Sequence, residues 1–150
     1  MFRLGRLTDY GIVLMAHLAG LEGERHNARE VAADTGLPAP AVSKILKQLA
    51  REGLLVSHRG AKGGYSLARP AGAISAAEII TALEGPIGLT ECTVHPGHCV
   101  QEPSCHVREP WQRINGVVRE ALERVTLEKL ATRPGAGQIV PLLELGVALD

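Results

Sequence analysis

The sequence predicts a mainly α-helical fold with a small β-wing, a winged helix-turn-helix followed by a long helix. Three observations predict it. Two short helical stretches meet at a Gly- and Pro-containing turn, Gly36–Pro40. Two short strand-like stretches then flank the Gly-rich tip Gly60–Gly64. Finally, residues 109–131 sustain an apolar stripe at helical spacing.

The elements follow in order. Residues 9–21 set Ile12, Leu14, Met15, Leu18 and Leu21 at helical spacings, with Thr8 as N-cap and Asp9 in the first turn, where a carboxylate favours the helix dipole. Polar residues across Gly20–Asn27 mark a loop. Ala28–Thr35 is a short helix stopped by Gly36. Pro38 and Pro40 suit the entry to the next helix, Ala41–Glu52, because a first turn has N–H groups to spare. Val42, Ile45, Leu46 and Leu49 form its apolar face, and Ser43, Lys44 and Lys47 lie off it. Leu54–Arg59 and Tyr65–Arg69 read as an outgoing and a returning strand. Ile74–Glu84 is a helix with Ser75 and Glu78 as a capping box, closed by Gly85. A long irregular loop follows to residue 108. The last helix, Glu109–Ala131, carries i,i+4 pairs Arg119–Glu123 and Arg124–Glu128. The expected organisation is a winged helix-turn-helix domain over 1–85, a cysteine loop over 86–108, a long helix over 109–131, and a tail over 132–150 without clear periodicity or an assigned role.

Composition narrows the function. At 150 residues and 45% apolar content, the chain has enough apolar material for one buried core. Aromatic residues make up 3%, too few for a stacking platform on single-stranded nucleic acid. No apolar run approaches the ~20 residues of a membrane span, and the N-terminus lacks a signal-peptide pattern. A cytoplasmic protein without membrane contact is expected. The zero net charge hides an asymmetry: residues 41–70 carry six basic side chains and one acidic, while 1–40 carry a net −1 and 71–150 a net −4. Local phosphate neutralisation, not total charge, sets nucleic-acid affinity.

These features together point to double-stranded DNA. Ala41–Glu52 takes the place of a recognition helix, offering Ser43, Lys44 and Lys47 to the major groove. Arg59 and Lys62 flank the Gly-rich wing tip, where the backbone can approach a phosphate. The plain alternative is an α/β scaffold with a solvated basic face, and it is the better reading for His58 and Arg69.

Cys92, Cys99 and Cys105 lie at C-x6-C-x5-C spacing in one loop with His95, His98 and His106. An odd number of cysteines in a cytoplasmic chain argues against a disulfide framework. Zinc sites favour closer C-x2-4-C knuckles, whereas an iron–sulfur cluster uses thiolates and suits a wrapping loop. Three sulfurs leave a fourth ligand open: His95, His98 or His106 within the loop, or Asp9 from a partner subunit. Redox thiols without a cofactor and structural zinc are the alternatives. No C-x-x-C pair or nucleophile setting suggests an enzyme.

The opening RLTDYGIVLMAHLA, the wing RGAKGGYSLAR, the helix ISAAEIITALEG and the three-cysteine loop together resemble the small winged-helix iron–sulfur regulators, the IscR/NsrR-type family, over about residues 1–131. The opening and the loop look most like the regulator of the SUF assembly system. The resemblance implies a homodimer joined by the long helix, binding promoter DNA. It implies an iron–sulfur cluster on Cys92, Cys99 and Cys105, 4Fe-4S in preference to 2Fe-2S. It also implies Asp9, after Thr8, as the fourth ligand across the dimer. Family members that use a histidine three residues after the last cysteine differ here, since that position is Arg108. The implied role is a repressor that senses cluster status and controls iron–sulfur assembly genes, with nitric-oxide or redox sensing as the alternative. The first cysteine gap is six residues where the family has five, a departure that touches the cluster type. The recognition-helix entry PAPAVSKILKQL has one serine where many members have several, so no operator sequence carries over.

Overall fold

The computed structural model describes residues 3–21 and 23–132. Helix α1 (Arg6–Ala19) begins earlier than its apolar spacing predicts, because the chain is pinned from outside the helix. Gly5, not Thr8, is the cap residue, and its N–H donates to Glu84 Oε1 at 2.7 Å. Thr8 therefore sits inside the first turn, fully buried, and its hydroxyl has no hydrogen-bond partner among the described residues.

Helix α2 (Ala28–Thr35) starts with a capping box that lies in what reads as loop. Asn27 Oδ1 accepts from the N–H groups of Arg29 and Glu30, both at 3.0 Å, and Glu30 reaches back to the Asn27 N–H at 2.9 Å. Gly36 ends α2 in the left-handed region at φ 69°, as predicted. Helix α3 (Ala39–Arg51) follows Pro38, with Pro40 in its first turn. Val42, Ile45, Leu46 and Leu49 are at most 1% exposed and pack with Leu14, Met15, Leu18 and Val31 in one core. Each such burial contributes about 1.5–3 kcal/mol, enough to hold α1, α2 and α3 as one unit.

The predicted wing is present. Strands β1 (Leu55–His58) and β2 (Gly64–Leu67) pair antiparallel, with Leu55 opposite Leu67 and His58 opposite Gly64. The loop before α2 adds a bridge to β2: the His26 and Tyr65 backbones exchange hydrogen bonds at 3.1 and 2.8 Å. A Cβ on Gly64 would lie 2.6 Å from the His26 carbonyl carbon and oxygen, so this close approach requires glycine. The wing is thus stitched to the helix-turn-helix at a second point.

Helix α4 (Ala76–Glu84) has the predicted Ser75–Glu78 capping box. The cysteine segment contains two short turns, α5 (Glu91–Val94) and a 3-10 turn at Glu102–Ser104. The predicted single helix over 109–131 is two. Helix α6 (Arg108–Arg124) stops at Val125, and α7 (Leu127–Ala131) starts after Thr126. The cause is a β-bridge between Thr126 and Ser75. The Ala76 N–H bonds the Val125 carbonyl at 2.8 Å and the Leu127 N–H bonds the Ile74 carbonyl at 2.7 Å, which holds this stretch extended. Leu127 is 0% exposed, inside the core shared with α1. The Arg119–Glu123 pair forms at 3.0 Å, whereas Arg124 turns back to Glu120 rather than forward to Glu128. The tail beyond Thr132 lies outside the described residues. No helix among them is long and apolar enough to cross a membrane.

Candidate functional site

The basic surface is built by α3 and the wing. Burial of the α3 apolar stripe turns Lys44 and Lys47 to solvent and leaves Ser43 half-buried at the edge of that face. Arg59 and Lys62 are exposed at the two sides of the wing tip. Among the described residues none of these four cations has a carboxylate partner, so all four can meet phosphate without first breaking an ion pair. Arg51, one turn further along α3, pairs with Glu52 at 3.4 Å.

His58 and Arg69 are occupied structurally, as expected. His58 Nε2 lies 2.9 Å from Ser66 Oγ across the wing. Arg69 donates to the Ala73 carbonyl at 2.9 Å and pairs with Glu78 at 2.6 Å. Partial burial raises the Glu78 pKa, but bonds from Arg69, from the Ser75 N–H and from the Ser75 hydroxyl, with the Arg69 charge, outweigh it and hold the carboxyl below its ordinary value. Arg25 was missed by sequence reasoning. It is exposed and lines a groove of about 370 Å³ beside the wing with His58 and Ser66.

The cysteine segment packs against α6. Cys92 is buried, with Thr90 Oγ1 at 3.3 Å from its sulfur, and Cys99 and Cys105 are half-buried; all three are unbridged. Glu102, between the last two, is 9% exposed. Its carboxylate accepts from the Gly97 N–H at 2.6 Å and pairs with Arg108 at 2.9 Å, bracing the loop against the start of α6. His95 and His98 lie with ring centroids 5.4 Å apart on the exposed part of the loop, and His106 is also exposed. Asp9 is exposed in the first turn of α1.

By chemistry the donors suit an iron–sulfur cluster: three uncrosslinked thiols in one segment, one ligand short of four. By placement they are not yet assembled. Among the described residues of the single chain, no three Cys, His, Asp or Glu side chains converge on one point, so neither Asp9 nor the histidines complete a set with the sulfurs.

Comparison with known proteins supplies the context. The family described as Rrf2, iron-dependent transcriptional regulator, matches residues 4–133. The HTH-type transcriptional regulator CymR of Bacillus subtilis (strain 168) is 36% identical over 124 residues, covering 82% of this chain and 85% of that relative. The solved structure of CymR, described as the global cysteine regulator of B. subtilis, is similar with a TM-score of 0.69 and 33% identity, over 87% of this chain and 97% of that one. That of T. potens IscR is similar with a TM-score of 0.64 and 27% identity, over 86% and 85%. The relatives named as regulators are transcription factors, not enzymes.

Proposed function

Since the chain belongs to the Rrf2 family of transcriptional regulators, we propose that it is a repressor whose cysteine segment holds an iron–sulfur cluster and reports cluster status to promoter DNA. The observation that carries this reading is the trio of unbridged thiols, Cys92, Cys99 and Cys105, in one segment packed on α6. When bound, a 4Fe-4S cluster supplies a centre sensitive to oxidation, nitric oxide and iron supply.

The chain's own residues supply the rest. Ser43, Lys44 and Lys47 face the major groove, and Arg59 and Lys62 meet the backbone or minor groove at the wing. Cys92, Cys99 and Cys105 would provide three ligands, and Asp9 of a second copy the fourth. A carboxylate holds iron less firmly than a thiolate, which makes Asp9 the point of exchange. Bringing the sulfurs together requires the 86–108 segment to close, and α6 is the element it would press upon. The resemblance of the opening and the cysteine loop to the SUF regulator supports iron–sulfur assembly genes as targets.

The test is anaerobic purification with iron and sulfide analysis and visible and Mössbauer spectra. The expected material is coloured, and each of Cys92→Ala, Cys99→Ala and Cys105→Ala loses the colour. Asp9→Ala should shorten cluster lifetime without unfolding the apo-protein. Colourless, iron-free protein that resists reconstitution would overturn the reading. One observation favours a second reading. CymR is described as a global cysteine regulator, and on that reading this chain would be a cysteine-responsive regulator whose unbridged thiols act without a cluster. Iron-free protein whose DNA affinity still follows reversible thiol oxidation would select it.

A further inference from the structure

Two neutral amide side chains grip the strand of chain that joins α4 to the cysteine segment, one at each end. At the α4 end, Gln48 of the recognition helix donates Nε2 to the Ala82 carbonyl at 2.9 Å and the Leu83 carbonyl at 3.3 Å. These are last-turn carbonyls, which an α-helix leaves without internal partners. At the other end, Asn115 of α6 accepts from the Leu89 N–H at 3.0 Å and donates to the Ile87 carbonyl at 3.3 Å. Gly85, at φ 92°, is the pivot between the two grips. The far grip lies one residue before Thr90, whose hydroxyl touches the Cys92 sulfur. The near grip lies one residue before Glu84, which holds the start of α1 through Gly5.

We infer that Gln48 and Asn115 are positioning residues that tie the setting of the recognition helix to the conformation of the cysteine segment. Gln48 is half-buried between the exposed Lys47 and the core residue Leu49. Its amide is committed to α4 and not to the DNA face. A displacement of Leu89 or Thr90 pulls on Gly85 and the last turn of α4. Through Gln48, that turn is bonded directly to the helix that carries Lys44 and Lys47. This inference rests on the DNA-binding and sensing reading above.

The test uses the full chain, a 30-base-pair duplex selected by the wild type from a random pool, and carbamidomethylation of the accessible cysteines as the perturbation. The readout is the ratio of DNA Kd values for alkylated and reduced protein. Wild type should change about fivefold or more, the lower range of an allosteric coupling. Gln48→Met and Asn115→Leu should each bring the ratio within about twofold of unity, and the double variant should do no more than either alone, because the grips act in series. Gln48→Lys retains a long donor and should keep the wild-type ratio. An unchanged ratio in both single variants overturns the inference and leaves the sensing reading standing. A wild type that does not respond overturns the inference as well, while the sensing reading stands or falls on the iron and sulfide analysis. If Gln48→Met fails to fold, amide exchange in wild-type α3 decides: exchange that alkylation leaves unaltered overturns the inference.

Discussion

Lys47 and Arg69 are both basic, lie in the same charged block, and do different jobs. Lys47 is exposed on α3 with no carboxylate partner among the described residues. Lys47→Ala should weaken binding to all duplexes alike and flatten the plot of log K against log salt by about 0.9, the slope of one phosphate contact. Titration at several salt concentrations measures it, and a parallel plot would remove Lys47 from the interface. Arg69 instead ties the end of the wing to α4 through Glu78. The Glu78 pKa is lowered by folding, so the pair's contribution is present at neutral pH and goes as pH falls through the ordinary carboxylate range to the lowered folded value. Wild type and Arg69→Ala should therefore differ in urea midpoint at pH 7 and converge once the pH falls below the lowered Glu78 pKa. Both groups are more than a third exposed, and water screens the pair, so the difference should be small.

The helices and the wing show which local signals suffice. The α3 stripe, the Ser75–Glu78 box and the Gly36 stop were legible because each is made by residues a turn or less apart. The true start of α1 was not, because Glu84 sets it from the far end of α4. Nor was the break at Val125, which a bridge to Ser75 imposes on a stretch whose own spacing is helical. The same holds at the site. Lysines and cysteines announce themselves by charge and clustering, whereas Gln48, Asn115 and Glu102 act through hydrogen bonds to backbone distant in sequence or hidden in a loop. The wing adds a sharp test of non-local fit. Gly64→Ala would force a methyl into the His26 backbone, costing about 1–3 kcal/mol. A drop in urea midpoint with weaker DNA binding is expected; an unshifted midpoint would show that the wing does not depend on that bridge.

Helix α6 dominates the outline of the molecule without contributing a buried residue. Trp111, Ile114, Val118 and Leu122 line a groove of about 750 Å³ against α4 and Leu4, and Ile114 and Val117 are still 46% and 42% exposed. An amphipathic helix so little covered is suited to a second copy of itself, which also supplies the two recognition helices a pseudo-palindromic site needs. The double variant Ile114→Glu, Val117→Glu should sediment as a folded monomer and lose most of its DNA affinity. If wild type and variant both sediment as dimers, the contact lies elsewhere.

The docking of Leu127 into the core it shares with α1 has a practical corollary for anyone dissecting this regulator. A fragment cut at Gly85 would keep every side chain assigned to the duplex, yet it would lack Leu127 and leave a hole where that leucine sits. Losing a leucine from such a place costs about 2–5 kcal/mol, a large share of what holds any small domain together. The winged helix-turn-helix and the stretch around Leu127 share one core, so neither can be borrowed without the other.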